Sequence, residues 1–84
     1  MTLYNTQTEK STEHVFDKAR EIFGEGGLGL KITEKQSRRL SFEGDAGQIL
    51  VTVSDDIDPT SVTVETLKFE YTVNEFLDAI DTSD

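Results

Sequence analysis

The chain has 84 residues, with 17 acidic against 8 basic side chains and a formal net charge of −9 at pH 7. A chain of this length is expected to form one domain, residues 1–84, and to bury only about 60% of its unfolded surface. Having no cysteine and a single histidine, it has no disulfide framework, no thiolate zinc site and no multi-histidine metal cluster within one chain. Leu, Ile, Val and Phe make up 23 of the 84 residues, enough to drive folding.

Residues Thr8 to Phe23 read as the first helix. Val15, Phe16, Ala19, Ile22 and Phe23 recur on one helical stripe, Thr6 and Glu9 have capping-box spacing, and Gly24 and Gly26 can end the helix. Leu3 and Tyr4 could add a short strand before it. After the glycines the period changes to two. Leu28, Leu30 and Ile32, then Leu40 and Phe42, then Ile49, Val51 and Val53 read as three half-buried strands of an antiparallel meander. Parity predicts a three-residue turn, Lys35-Gln36-Ser37, that sets Ile32 opposite Leu40. It also predicts a tight turn within Gly44–Gly47 that sets Phe42 opposite Ile49. In the fourth strand Val62 and Val64 have one parity, and Leu67, Phe69 and Tyr71 the other. That change predicts a β-bulge near Glu65 and Thr66. A second helix should start at the capping box Thr72-Val73-Asn74-Glu75 and bury Val73, Phe76, Leu77 and Ile80. Tyr71 and Phe76 have the spacing of a hydrophobic staple, and residues 81–84 are expected to fray. The expected fold is therefore α+β: a two-layer sandwich of a four- to five-stranded antiparallel meander, with an N-terminal and a short C-terminal helix on one face. The other face should be polar, presenting Lys31, Thr33, Arg39, Ser41, Glu43, Leu50, Thr52 and Thr63.

The charge is unevenly spread. Residues 1–39 carry seven bases and six acids, whereas residues 40–84 carry Lys68 and eleven acids. Such acidity serves solubility or a high-salt host before it specifies a partner, although a basic protein partner for residues 55–84 fits it too.

Several near-motifs fail on context. Gly24-Glu25-Gly26-Gly27-Leu28-Gly29 spells G-x-G-x-x-G, but a helix precedes it and a strand follows. That order places the helix's negative C-terminus, not its N-terminus, beside any phosphate. Asp55, Asp56 and Asp58 suggest a cation, yet the EF-hand position 6 falls on Ser61 and position 12 on Leu67. A solvated acidic loop around Pro59 accounts for them better. His14 points about 140° from the apolar stripe, with no nucleophile beside it. Glu75 and Asp78 likewise face away from their helix's core stripe. No catalytic constellation emerges, so an enzyme is not expected, and no cofactor or metal is implied. Lys31, Lys35, Arg38 and Arg39 form the one basic patch, on the first hairpin, with Glu34 expected opposite Arg38. Four bases against an overall −9 do not predict nucleic-acid binding.

If residues 2–5 form a strand, the order β-α-β4-α resembles the TBP-like architecture shared by helix-grip proteins. The resemblance would imply either an open sheet that binds nucleic acid or an apolar cavity beneath the C-terminal helix. Here the open face is threonine-rich and that helix about nine residues long. Gly24-Glu25-Gly26-Gly27-Leu28-Gly29-Leu30-Lys31, Phe42-Glu43-Gly44 and Tyr71-x-Val73-x-x-Phe76-Leu77 also look like segments of short prokaryotic proteins of unassigned function. That likeness implies no activity.

Two functions follow as expectations. One is a non-enzymatic interaction module in the cytoplasm, pairing with an unknown protein or with itself as a homodimer, and using neither membrane nor nucleic acid. The other is a small-molecule binder with a pocket between the sheet and the C-terminal helix, lined by Phe42, Val51, Phe69 and Phe76.

Overall fold

A computed structural model of the chain describes residues 2–24, 26–56 and 60–80. The elements run β1 (Thr2–Thr8), α1 (Thr12–Phe23), β2 (Lys31–Gln36), β3 (Arg39–Gly44), β4 (Gly47–Ser54), β5 (Thr60–Leu67) and α2 (Glu70–Ile80). This is the expected α+β class, with all five strands antiparallel in one open sheet of order β1-β5-β4-β3-β2. No helix is long and apolar enough to cross a membrane among the described residues.

The first strand is longer than its weak signal suggests, and it displaces the start of the first helix. Thr6 and Thr8 pair with Val62 and Thr60, so neither caps a helix. Ser11 takes that role instead, its Oγ accepting from the His14 N–H at 3.1 Å, and α1 begins at Thr12. Val15, Phe16, Ala19 and Phe23 then face inward, as the periodicity requires.

β2 departs furthest from its expected form. Gly29 has φ +77°, which breaks the extended run, so Leu28 and Leu30 precede the strand rather than belong to it. Leu30 is still buried, whereas Ile32 is 42% exposed. The turn into β3 holds two residues, Ser37 and Arg38, because Gln36 pairs with Arg39. The register then shifts by one between Ile32 and Glu34, so Ile32 lies opposite Phe42 and not Leu40. A bulge at Thr33 thus absorbs the parity that a three-residue turn would have supplied. The next turn is as expected, with Gly44 opposite Gly47 and Phe42 opposite Ile49.

β5 holds one register against both neighbours over its whole length, without the expected bulge. The parity change has another cause: the strand ends at Leu67, and Lys68 turns the chain with φ +86°. The second helix consequently begins at Glu70, two residues before the capping box. Val73 N–H bonds to the Phe69 carbonyl at 2.9 Å, and Tyr71 is 80% exposed, so Tyr71 and Phe76 form no staple. The half-buried Phe69 packs against the core instead. Residues 81–84 lie outside the described residues.

The core fills the layer between the sheet and the two helices. Leu40, Phe42, Ile49, Val51, Val53, Val62 and Val64 supply the sheet side, and Val15, Phe16, Ala19, Phe23, Val73, Phe76 and Ile80 the helix side. Phe23 is the keystone. Its ring lies 5.6 Å from Phe42, edge-on, and 5.1 Å from Phe76, so α1, β3 and α2 meet at one side chain. Buried threonines tie the ends of α2 to the sheet. Thr8 Oγ1 donates to the Ile80 carbonyl, one of the acceptors that a helix end leaves free. Thr66 Oγ1 donates to the Gln48 carbonyl at 3.4 Å and accepts from the Phe69 N–H at 3.3 Å.

Two substitutions check this account. Phe23→Ala should cost about 3–5 kcal/mol in urea unfolding, because a fully buried ring would leave a void that three elements share. Lys68→Gly should instead stabilise by up to about 1 kcal/mol, since relief of left-handed strain outweighs the entropy glycine adds to the unfolded chain.

Candidate functional site

The basic hairpin is partly neutralised by its own neighbours. Arg38 Nε lies 3.0 Å from Asp55 Oδ1, at the end of β4. Asp55 Oδ2 also accepts from Thr12 Oγ1 at 2.7 Å, so the β2–β3 turn, the end of β4 and the start of α1 join at one carboxylate. The Thr12 hydrogen bond is the chief cause that holds the Asp55 carboxyl below its usual range. Partial desolvation opposes it and the Arg38 guanidinium assists it. The expected partner of Glu34 was Arg38. Because the β2–β3 turn is one residue shorter than expected, Glu34 reaches Arg39 at 3.8 Å instead, and it accepts from Gln36 at 3.0 Å. Lys31 and Lys35 remain exposed along β2, at the sheet edge. The four bases therefore divide into two ion-paired arginines and two edge lysines, rather than forming one anion-binding face.

The aromatic candidates divide in the same way. Phe42 and Phe76 have no exposed surface, and both rings pack on Phe23. Val51 is equally buried, and Phe69 is half-buried against the same cluster. The residues expected to line a pocket are packed core, because the third ring, Phe23 from α1, occupies the space between them.

The glycine turn borders an open groove of about 530 Å³, lined by Arg20, Gly24, Gly26, Gly29, Leu30 and Lys31. Four of the turn's amides are already used. The N–H groups of Gly27, Leu28, Gly29 and Leu30 donate to the carbonyls of Gly24, Ile22, Gly24 and Phe23, and Arg20 pairs with Asp17. The glycines serve the turn itself: a Cβ on Gly27 would come within 1.9 Å of the Ile22 carbonyl oxygen. Glu25 lies outside the described residues, as do Asp58 and Pro59 of the acidic loop. Among the described residues no group of three or more His, Asp or Glu side chains could hold a metal ion. His14 sits on α1 next to Glu13 and Val15, its backbone N–H in the cap bond to Ser11.

The two edges of the sheet differ in a way that no motif search reveals. The β2 edge carries Lys31, Glu34 and Lys35 and is bent by the bulge at Thr33, two devices that discourage a further strand. The β1 edge has neither. Its seven residues, Thr-Leu-Tyr-Asn-Thr-Gln-Thr, contain no charge and no proline, and they pair with β5 without a register shift. Beside it on the outer face, Leu3 is 63% exposed, and Leu50 and Leu67 flank Glu65 across β5 and β4. Asn5 Nδ2 donates to Thr63 Oγ1 at 2.8 Å and Ser61 Oγ at 3.3 Å, which ties the strand to its neighbour. The signal was legible as an uncharged stretch in a chain of −9, but only the sheet order makes it an edge.

Comparison with known proteins finds no family model and no curated relative that matches the chain.

The Asp55 tie should appear in the acid stability profile. A carboxyl held below its usual value of 3.8 contributes stability that is complete above that value and fades as the pH falls through the lowered one. Asp55→Asn should lack this step, so urea unfolding from about pH 7 to about pH 2.5 should show a flatter acid limb than the wild type's.

Proposed function

We propose that the chain is a non-enzymatic interaction module whose working surface is the β1 edge. The observation that carries this reading is the contrast between the two sheet edges. One is guarded by lysines and a bulge, and the other is an uncharged seven-residue strand in unbroken register. Such an edge offers a row of backbone N–H and C=O groups to an incoming strand, and the pairing needs no pocket and no catalytic group. Leu3, with Leu50 and Leu67 nearby, adds apolar surface that a docked strand or its flanking residues would cover. A small-molecule pocket beneath α2 has no comparable support, because Phe23, Phe42 and Phe76 fill that layer.

The probe is a capped, uncharged peptide with the sequence of residues 2–8. Added in excess, it should slow amide hydrogen exchange in β1 and leave β2 unchanged. Asn5→Lys, which places a guard charge on the free edge, should abolish the protection. Unchanged exchange in wild-type β1 at saturating peptide would overturn the reading.

A further inference from the structure

Resting on the reading of β1 as a strand-accepting edge, we infer that its occupant is a second copy of this chain, paired antiparallel about Asn5 and held apart at low salt by the acidic flank of α2. Two copies that each carry −9 repel, and they can approach closely only where charge is missing. β1 is the sheet edge that meets this condition. It is also self-complementary: a two-fold axis through Asn5 sets Leu3 opposite Gln7 of the second copy, and Tyr4 opposite Thr6, with no charge at any position. In this register residues of equal parity face each other. Both helical layers then lie on one side of a continuous ten-stranded sheet.

The axis brings the two α2 helices together. α2 runs alongside β1: Thr2 Oγ1 donates to Glu70 Oε2 at 3.3 Å at one end, and Thr8 Oγ1 to the Ile80 carbonyl at the other. Neighbouring strands lie about 4.8 Å apart, so helices seated above β1 and β5 of each copy would come within about 10 Å of each other, near the packing distance of helices. The α1-facing side of α2 carries Thr72 and Glu75, which share a groove with Glu21 and Ile22. Glu70 lies on the flank toward β1, where it accepts from Thr2, and Asn74 and Asp78 step one turn at a time from that flank toward the solvent-facing side, both exposed. Across the axis the two α2 helices would run antiparallel, so that Glu70 of each copy lies near the Asp78 turn of the other. The backbone ladder would favour the dimer and the acidic flanks oppose it, and only the second effect is screened by salt. The screening length falls from about 10 Å at 0.1 M salt to about 3 Å at 1 M. A few such pairs at about 10 Å would amount to a change of about tenfold in the dimer constant.

The head-to-tail alternative predicts the opposite salt response. Joining the β1 edge to the lysine-bearing β2 edge of the next copy would be favoured at low salt, and it would not close.

The test is sedimentation equilibrium with light scattering at about 0.1 M and about 1 M NaCl. The wild type should form a dimer that tightens by about tenfold or more at the higher salt. Glu70→Gln combined with Asp78→Asn should dimerise at the lower salt, with the salt response largely gone. Asn5→Lys, and independently Gln7→Lys, should be monomeric at both while keeping the wild-type circular dichroism spectrum. Species larger than a dimer that grow at low salt would overturn the proposal, as would a dimer indifferent to salt or one that survives both lysine variants. A wild type that is monomeric at both salts while the residue 2–8 peptide still protects β1 would reject the second copy and leave the strand-accepting reading standing. Failure of the peptide as well would remove both.

Discussion

The Phe23 ring is the constraint on which the other elements depend. It closes α1 and touches both Phe42, at the middle of β3, and Phe76, at the middle of α2. In an 84-residue chain the core is one layer thick, so no second cluster shares the load. The glycine turn follows from the same placement. Phe23 must point into the core at the last turn of α1, and the chain must then reverse at once to begin β2. The backbone of residues 27–30 accordingly folds back onto the carbonyls of Ile22, Phe23 and Gly24. A segment whose spelling suggests phosphate binding is thus the local consequence of where one phenylalanine has to be.

The charge split along the chain becomes a gradient across the fold. Strand order β1-β5-β4-β3-β2 puts the hairpin with Lys31, Lys35, Arg38 and Arg39 at one side of the sheet. The other side has α2, with Glu70, Glu75 and Asp78 and no base in its last turn. Asp55 reaches back from the acidic half to Arg38, so the halves are also joined electrostatically. At the far end of this gradient lies the uncharged β1. The net charge of −9 therefore describes no particular surface: the molecule has a basic margin, an acidic helix and a neutral edge.

Sequence patterns revealed the core almost completely and the boundaries much less well. Val15, Phe16, Ala19 and Phe23 repeat with a helical period, and Ile49, Val51 and Val53 with a strand period, because burial on one face leaves no freedom there. Tertiary pairing overrode local signals elsewhere. Thr6 and Glu9 have the spacing of a helix start, yet Thr6 is pinned opposite Val62, a partner 56 residues away. Tyr71 and Phe76 have the spacing of a staple, but Lys68 turns the chain early and leaves Tyr71 outside. Parity predicts a three-residue turn after β2 and a bulge within β5, whereas the chain uses a two-residue turn with a bulge at Thr33 and a left-handed residue, Lys68, beyond β5. Parity could not choose among a loop residue, a bulge and a left-handed turn, since all three change the phase by the same amount. The candidate site was least legible of all, because an edge is a property of strand order, and β1 carries almost no apolar alternation to announce itself.

The pairing of β1 with β5 also orders events during synthesis. β2, β3, β4 and β5 form a meander whose turns close locally, whereas β1 is joined to its neighbour only across almost the whole chain, Thr2 meeting Thr66. β1 leaves the ribosome before β5 and must therefore wait for it to be made. Contacts of such long sequence separation close late, so docking of β1 is a slow finishing step after a rapidly formed meander. Until it docks, β5 is itself an open edge, and a β1 from a neighbouring nascent chain fits it as well as its own does. Crowded translation of this chain thus favours strand exchange between copies.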